Sequence, residues 1–381
     1  MTVNTNKEFN VVSMFSGCGG MDLGFKQAGY NILWANDADP DACDTYEANI
    51  GDIHRGDISK LDIPNFEDVD VLVSGFPCQP FSNAGSRKGT DDPRGQLYEY
   101  TFKFIEKLNP KVVVIENVRG LLSTKTPDGK LIDELVRRLK EDHGYHVTYR
   151  LLNMSHFGVP QKRIRVVLIA TKNANYVEHL FPEVVEGKDL SIQATLKGLR
   201  STQPNQNELM KLNPQALHYG SLIPEGGSWK SLDYDILPER WKKIRDDMVK
   251  YHYPNFFRKY ARHEIQGTIT AAFKPENAGV WHPTKGRIYS VREVARFQTF
   301  PDNFIFHGRN VKCKYQQIGN AVPPLIAKKI GEQLKHYLNN TEICELKRYK
   351  VESTELNVNQ PIDNQKISVN LFQGKSSVFE S

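Results

Sequence analysis

Cys78 lies in the segment GFPCQPFS, directly after the apolar run VDVLVSG (69–75). A single cysteine is often a small buried core residue. Here Pro77 and Pro80 flank it, with Gln79 and Ser82 close by. The prolines stiffen the turn and fix the direction of the thiol, which suits an active-site loop better than a core. The thiolate is the reactive form, so a nearby cation is needed to lower a pKa that starts near about 8.5. Glu116 ends the run VVVIENV. A carboxyl group there could hydrogen-bond or protonate a ring nitrogen, or simply cap the next helix. Arg163 and Arg165 occur in QKRIRVV. Alternate strand positions point the same way, so both guanidinium groups are expected on one side. They could stabilise a thiolate or hold a phosphate; a solvated strand end is the plain alternative.

A second group of residues reads as a cofactor loop. FSGCGG (15–20) separates an apolar run from a helix-like segment. Glycines permit a tight turn and close approach of a ligand, and a helix N-terminus adds partial positive charge. Asp37, in WANDAD, ends the second apolar run and is placed to bind ribose hydroxyls, with helix capping as the alternative. Asp57 in GDIS is the candidate third contact, to an adenine amino group. A glycine turn alone is a weak signal, and dinucleotide binding competes. The spacing is not GxGxxG, because residue 22 is aspartate. A single nucleoside-like cofactor fits better.

These residues need elements to hold them. VVSMF (11–15), ILWAN (32–36), VDVLVSG (69–75), VVVIE (112–116) and RIRVVLIAT (163–171) read as strands buried on both faces. Helices are expected over 21–28, 40–49, 97–108 and 131–142. Alternating strand and helix predicts an α/β fold with a doubly wound, mostly parallel sheet. Residues 172–285 are rich in Asn, Gln, Pro, Gly and aromatics without a sustained period, and read as a second, irregular lobe. In 287–302, Val291, Val294, Ala295 and Gln298 share a helical face that Pro301 stops. Residues 319–338 read as a loop feeding a helix. The chain beyond Asn340 is polar and expected to be loosely held. No internal repeat is found.

Bulk properties agree. The 381 residues are 39% hydrophobic, enough for two lobes. The net charge of +5 permits an anionic partner without demanding one. Five widely spaced cysteines include no CxxC pair, so neither a zinc site nor a disulfide framework is expected. The N-terminus does not read as a signal peptide and no run is long enough to span a bilayer. A soluble, cytoplasmic protein is expected.

The set FSGCGG, GFPCQPFS, ENV, QKRIRV, the RE-A-R-QTFPD segment and GNAVPP, in this order, resembles the DNA (cytosine-5) methyltransferases of the bacterial restriction–modification type. The resemblance covers about residues 9–171 and 287–338. It implies a Rossmann-like, S-adenosylmethionine-dependent fold, with a catalytic and cofactor-binding domain over 1–171 and 287–340, a smaller target-recognition domain over 172–286, and a tail over 341–381. It assigns Cys78 as nucleophile, Glu116 to cytosine N3, Arg165 to the flipped base and the catalytic carboxylate, and Arg163 as its companion. Phe15, Gly17, Cys18, Gly20, Asp37, Asp57, Ile58, Asn320 and Ala321 become cofactor contacts. Asn117 and Gln79 would orient the catalytic loop, and residues 80–96 would form a lid closing on DNA. Two positions depart from the family pattern: Asp37 stands where glutamate is more frequent, and Cys18 where Ala or Leu is.

The same resemblance implies flipping of a cytosine out of double-stranded DNA, S-adenosylhomocysteine as product, no metal, a cognate restriction endonuclease, a monomer and use at the nucleoid. For DNA contact, RKYARH (258–263) offers Arg258, Lys259 and Arg262, unless it is only a solvated charged loop. GTITAAFKPENAG (267–279) resembles the family's Thr-Ile turn and offers Thr268 near a phosphate. An RNA cytosine methyltransferase on the same fold is the first rival, although the CFT segment of the tRNA-modifying relatives is missing. A DNA-binding module without chemistry is the second; Cys78, Glu116 and Arg165 argue against it.

Overall fold

The computed structural model describes residues 8–77, 97–127, 129–173, 180–247, 256–276 and 278–339. Cys78, Gln79, Ser82, the expected lid and the tail lie outside the described residues.

The apolar runs become strands. β1 (Phe9–Met14), β2 (Tyr30–Asp37), β3 (His54–Arg55), β4 (Val71–Ser74) and β5 (Val112–Val118) pair in parallel. β6 (Lys125–Thr126) and β7 (Gly129–Lys130) form a separate small hairpin. β8 (His146–Asn153) closes the main sheet, β9 (Gln161–Lys162) pairs outside it with β11 (Gln266–Gly267), and β10 (Ile164–Thr171) runs antiparallel between β5 and β8. The seven-stranded order is β3-β2-β1-β4-β5-β10-β8. The chain winds outward from β1 in one direction and from β4 in the other. Their C-terminal ends therefore border a crevice, where ligands of such sheets bind.

Helices fill the connections. α1 (Gly20–Gln27), α2 (Pro40–Asn49), α3 (Tyr98–Leu108) and α4 (Leu131–Arg137) follow the expected segments. The last continues as a π turn over Arg138–Asp142 instead of a regular helix. Among the described residues, the α-helices of the aperiodic stretch are α5 (Ile192–Leu196), α6 (Pro214–Leu222) and α7 (Glu239–Asp246), with a 3-10 turn over Trp229–Ser231 and β11. Its interior is aromatic, with Trp229, Trp241, Phe256 and Phe257 edge-on or tilted against one another. This core is continuous with α8 (Val291–Phe297) and α9 (Val311–Asn320).

Three expectations need correcting. β8 was not foreseen: it is an edge strand carrying Thr148, Arg150 and Asn153, so it lacks a continuous apolar run. Gly319 and Asn320 do not lie in a loop; they end α9, and only residues 321–323 separate it from α10 (Pro324–Leu338). Helix α8 stops before Pro301, where Thr299 takes a left-handed φ of 64°.

α10 packs along α1 and covers one face of the sheet with Phe25, Ile326, Ile330 and Leu334. The two helices meet at Gly24, where a β-carbon would overlap Ala327 and the Pro324 carbonyl. In an exposed helix, Gly→Ala gains about 1 kcal/mol. Here the sign should reverse: Gly24→Ala should cost about 1–3 kcal/mol by overpacking. A urea midpoint at or above that of the wild type would contradict this packing.

Candidate active site

A cavity of about 730 Å³ opens at the strand ends. One end is the loop after β1. Phe15 (φ 58°), Gly17 (φ 56°) and Gly19 (φ 86°) are all left-handed, which turns the chain sharply into α1. A β-carbon at Gly17 would meet no atom within 4 Å, so the backbone there is open to a ligand. Asp37, at the end of β2, holds this loop. Its Oδ2 accepts from the Gly17 amide at 2.8 Å and its Oδ1 from the Asp39 amide at 2.8 Å. Burial raises its pKa despite these bonds. The helix-capping role belongs instead to Asp39, whose side chain accepts from the Asp41 amide at the start of α2.

The neighbouring strand places the next contacts. Asn36 is buried and donates to the carbonyls of His54 and Gly56, which fixes the approach to Asp57. Asp57 is exposed, accepts from the Ser59 amide at 2.9 Å and has a lowered pKa from that bond. Ile58 is buried beside it. Phe15, Gly17, Asp57, Ile58, Asn320 and Ala321 all line the cavity, as do Asp37 and Cys18.

Two of the expected cofactor residues act differently from their neighbours. The Cys18 side chain is buried and its thiol donates to the Gln317 carbonyl, so only its backbone is available to a ligand. Burial drives its pKa far upward. Gly20 does not line the cavity. It is glycine because a β-carbon would overlap the Val322 carbonyl and crowd Ala321.

The opposite end of the cavity carries the charged groups. Arg165 pairs with Val118 across β10 and β5, and Val167 pairs with Glu116. Glu116 and Val118 share a face, so Arg165 lies diagonally from Glu116 on that face. Its Nε is 3.2 Å from Glu116 Oε1. Burial nevertheless raises the Glu116 pKa, against the opposing pull of Arg165 and Arg163. Asn117 donates from Nδ2 to the Phe76 carbonyl, tying β5 to the described approach to Cys78. Phe76 and Pro77 line the same cavity.

Arg163 is not on the strand. It precedes β10, is fully buried, and donates to the carbonyls of Ile269, Gly319 and Ala321 at 2.9, 3.0 and 3.1 Å. It touches the cavity, but both of its terminal nitrogens donate to backbone.

The basic cluster at 258–263 also differs from its expectation as phosphate-binding surface. Arg258 pairs with Glu264, and the buried Lys259 ammonium donates to the Ile223 carbonyl. Of the three cations named for DNA contact only Arg262 is exposed, and it pairs with Glu225. Thr268 donates to the Lys162 carbonyl at 2.7 Å. Among the described residues no group of three His, Cys, Asp or Glu side chains is arranged to hold a metal, and no helix is long and apolar enough to cross a membrane.

The decisive comparison concerns the whole chain. The family profile of the C-5 cytosine-specific DNA methylases matches residues 9–336. The chain belongs to this family. It is 35% identical over 369 residues to the Type II methyltransferase M.NgoFVII of Neisseria gonorrhoeae, covering 93% of this chain and 94% of that one. It is 34% identical to M.Eco47II of Escherichia coli, covering 88% and 81%. The solved S. pombe Dnmt2 methyltransferase superimposes with a TM-score of 0.61 over 87% of this chain and all of that one, at 21% identity, a likeness of fold. The methylase is thus a DNA (cytosine-5) methyltransferase related to the Type II enzymes, as the order of its motifs implied, and the RNA reading is not favoured. The family and fold imply S-adenosylmethionine as donor.

Asp22 was noticed in the sequence only for breaking the dinucleotide pattern. It is fully buried under the cofactor loop, accepting from Ser13 Oγ at 2.6 Å and from the Tyr46 hydroxyl at 2.7 Å. Burial raises its pKa to about 6. The folded state therefore binds a proton more tightly than the unfolded chain does, and Asp22 costs stability as pH rises from about 4 to about 6. The size is about 3 kcal/mol. Asp22→Asn should lose correspondingly less stability than the wild type between pH 4.5 and 7, read from urea unfolding. Parallel curves for the two proteins would refute a buried carboxylate here.

Proposed function

We propose that the methylase modifies one cytosine within a short duplex sequence, with Cys78 as nucleophile and residues 172–286 as the target-recognition domain. The observation that carries this reading is a single cavity joining a glycine loop, Asp37 and Asp57 to the ion pair of buried Glu116 and half-buried Arg165. The chain's own described groups fit the donor. Gly17 opens toward the cavity, and Asp37 and Asp57 are suited to ribose hydroxyls and an adenine amino group. Asn320 and Ala321 are suited to its methionine end, with Phe15, Ile58 and the Cys18 backbone packing beside it. The bound donor supplies an electrophilic methyl group.

The chemistry then belongs to the protein side chains and the base. Carbon 5 of cytosine is too weak a nucleophile unaided. The Cys78 thiolate adds to carbon 6 while a protonated Glu116 donates to N3. Carbon 5 of the resulting enamine takes the methyl group, a base removes the carbon-5 proton, and expulsion of the Cys78 thiolate from carbon 6, with return of the N3 proton to Glu116, restores the ring. Covalent catalysis of this kind divides one difficult step into easier ones. The raised pKa of Glu116 supports its role as donor, and Arg165 is placed to orient it. Carbon 6 is hidden in the stack, so the base must leave the duplex, at about a few kcal/mol.

The wider reading includes S-adenosylhomocysteine as product, no metal, a monomer, use at the nucleoid in the cytoplasm and a cognate endonuclease; relatedness to Type II enzymes supports the last. Thr268 and Arg262 remain the better candidates for phosphate contact. Arg258 and Lys259 are better read as supports of the loop, and Gln79 and Ser82 as contacts near the flipped base.

The experiment is covalent trapping. With the donor and duplex DNA carrying 5-fluorocytosine, the wild type should form an adduct that resists denaturation, and Cys78→Ala should form none. Equal trapping by both proteins would eliminate Cys78. Glu116→Gln should lower kcat by about 10²–10⁴. Glu116 donates only when protonated, so the wild-type rate should fall as pH rises through its pKa. Burial places that fall above the ordinary carboxylate range, and Glu116→Gln should abolish it. An unchanged alkaline limb in the variant would exclude Glu116 as the donor.

A further inference from the structure

Ile269 is held at both of its backbone polar groups by buried side chains from the segment 161–163. Its amide donates to Gln161 Oε1 at 2.8 Å, and its carbonyl accepts from Arg163 at 2.9 Å. Both side chains lead on to the end of α9. Arg163 also reaches the Gly319 and Ala321 carbonyls. Gln161 Nε2 donates to Gln298 Oε1 at 3.1 Å, and Gln298 Nε2 donates to the carbonyls of Ile318 at 2.7 Å and Ala321 at 3.3 Å. Gln161 and Gln298 are fully buried. Gly319 adds direct contact, since a β-carbon there would overlap the Thr270 carbonyl and the Ala271 amide.

We infer that Gln161 and Gln298 are positioning residues that make segment 268–271 and segment 318–321 move as one body, so that duplex binding at Thr268 tightens cofactor binding at Asn320 and Ala321. The inference rests on the proposed placement of DNA at Thr268 and of the cofactor at Asn320 and Ala321. A shift of either segment alone would strand amide donors and acceptors in a water-free interior, where unmade hydrogen bonds are costly. A shared shift keeps them paired. Such a coupling is reciprocal: whatever factor DNA imposes on cofactor affinity, the cofactor imposes on DNA affinity. Neither glutamine lines the cavity, so their effect acts through Ala321 and Ile269 and not by contact with a ligand.

The test is equilibrium binding of S-adenosylhomocysteine to the full chain, by calorimetry. It is measured without DNA and with a saturating duplex carrying the methylated sequence mapped by bisulfite sequencing. DNA should tighten wild-type binding on the order of tenfold. In Gln161→Met and Gln298→Met that gain should drop to about threefold or less, with affinity in the absence of DNA within about twofold of the wild type. The Gln161→Met/Gln298→Met double variant should be no worse than either single variant, because both interrupt one relay. Gln161→Leu and Gln298→Leu also remove donor and acceptor, with a smaller side chain, and provide a second pair should the methionine variants fail to fold. Phe104→Leu, in the core behind β2 and far from the relay, controls for lost stability and should keep the full gain. A wild-type-sized gain in folded relay variants, or no gain in the wild type, overturns the inference. Failure of the wild type to bind S-adenosylhomocysteine at all would instead overturn the cofactor reading beneath it.

Discussion

The register between β5 and β10 is the constraint on which the charged end of the site depends. Both strands are packed on both faces, so a slip by one residue would exchange side chains of different shape between two filled layers and misfit both. The pairing of Arg165 with Val118 is thereby fixed by Val166, Val167, Leu168 and Ile169, which have no chemical role. Because β10 runs against its neighbour, its first residues arrive at the same sheet edge as the last residues of β1, β2, β4 and β5. A parallel strand in that place would have delivered Arg165 to the far side.

Buried guanidinium groups assemble the rest. Arg163 joins three segments through their carbonyls, and Arg292 repeats the device. It is fully buried and donates to the carbonyls of Pro204, Pro301 and Phe304. Each takes a fork of donors to backbone outside the sheet, Arg163 from just before β10 and Arg292 from α8. Removing such a group would leave carbonyls without donors inside the protein. Glu293 serves a related purpose by closing a capping box with Ser290 and pairing with Arg287. The irregular lobe is therefore held by side-chain bonds to loops, which explains how it is ordered with so little regular structure.

Much of the parallel sheet was legible because its strands are buried on both faces and read as unbroken apolar runs. β8 escaped because an edge strand need be apolar on neither face. α9 escaped because its sequence, VKCKYQQIGN, mixes polar and apolar residues and buries Tyr315, Gln317, Ile318 and Gly319. At the site, Asp37, Glu116 and Arg165 could be found from their positions at the ends of apolar runs. Arg163 was misplaced because strand alternation was carried one residue beyond the strand. Gln298 was read only as part of a helical face and Gln161 only as part of QKRIRV; their link was not legible, since a buried glutamine's role is set by partners distant in sequence. Asp22 did give one: an acid within an otherwise glycine-rich turn, read as an exclusion and not as a buried group.

Asp37 has a consequence for which ligands the crevice can accept. A carboxylate offers about four lone-pair sites. Two of them are occupied by the amides of Gly17 and Asp39, one on each oxygen. The Ala38 amide adds to this hold on the carboxylate, so the acceptor capacity left for a ligand is small and fixed in direction. The same two amides forbid a swing of the side chain toward a lone hydroxyl elsewhere. The aspartate thus meets whatever enters the crevice as a rigid acceptor, and the proposed sugar would have to bring its hydroxyls to the carboxylate, since the carboxylate cannot turn to meet them.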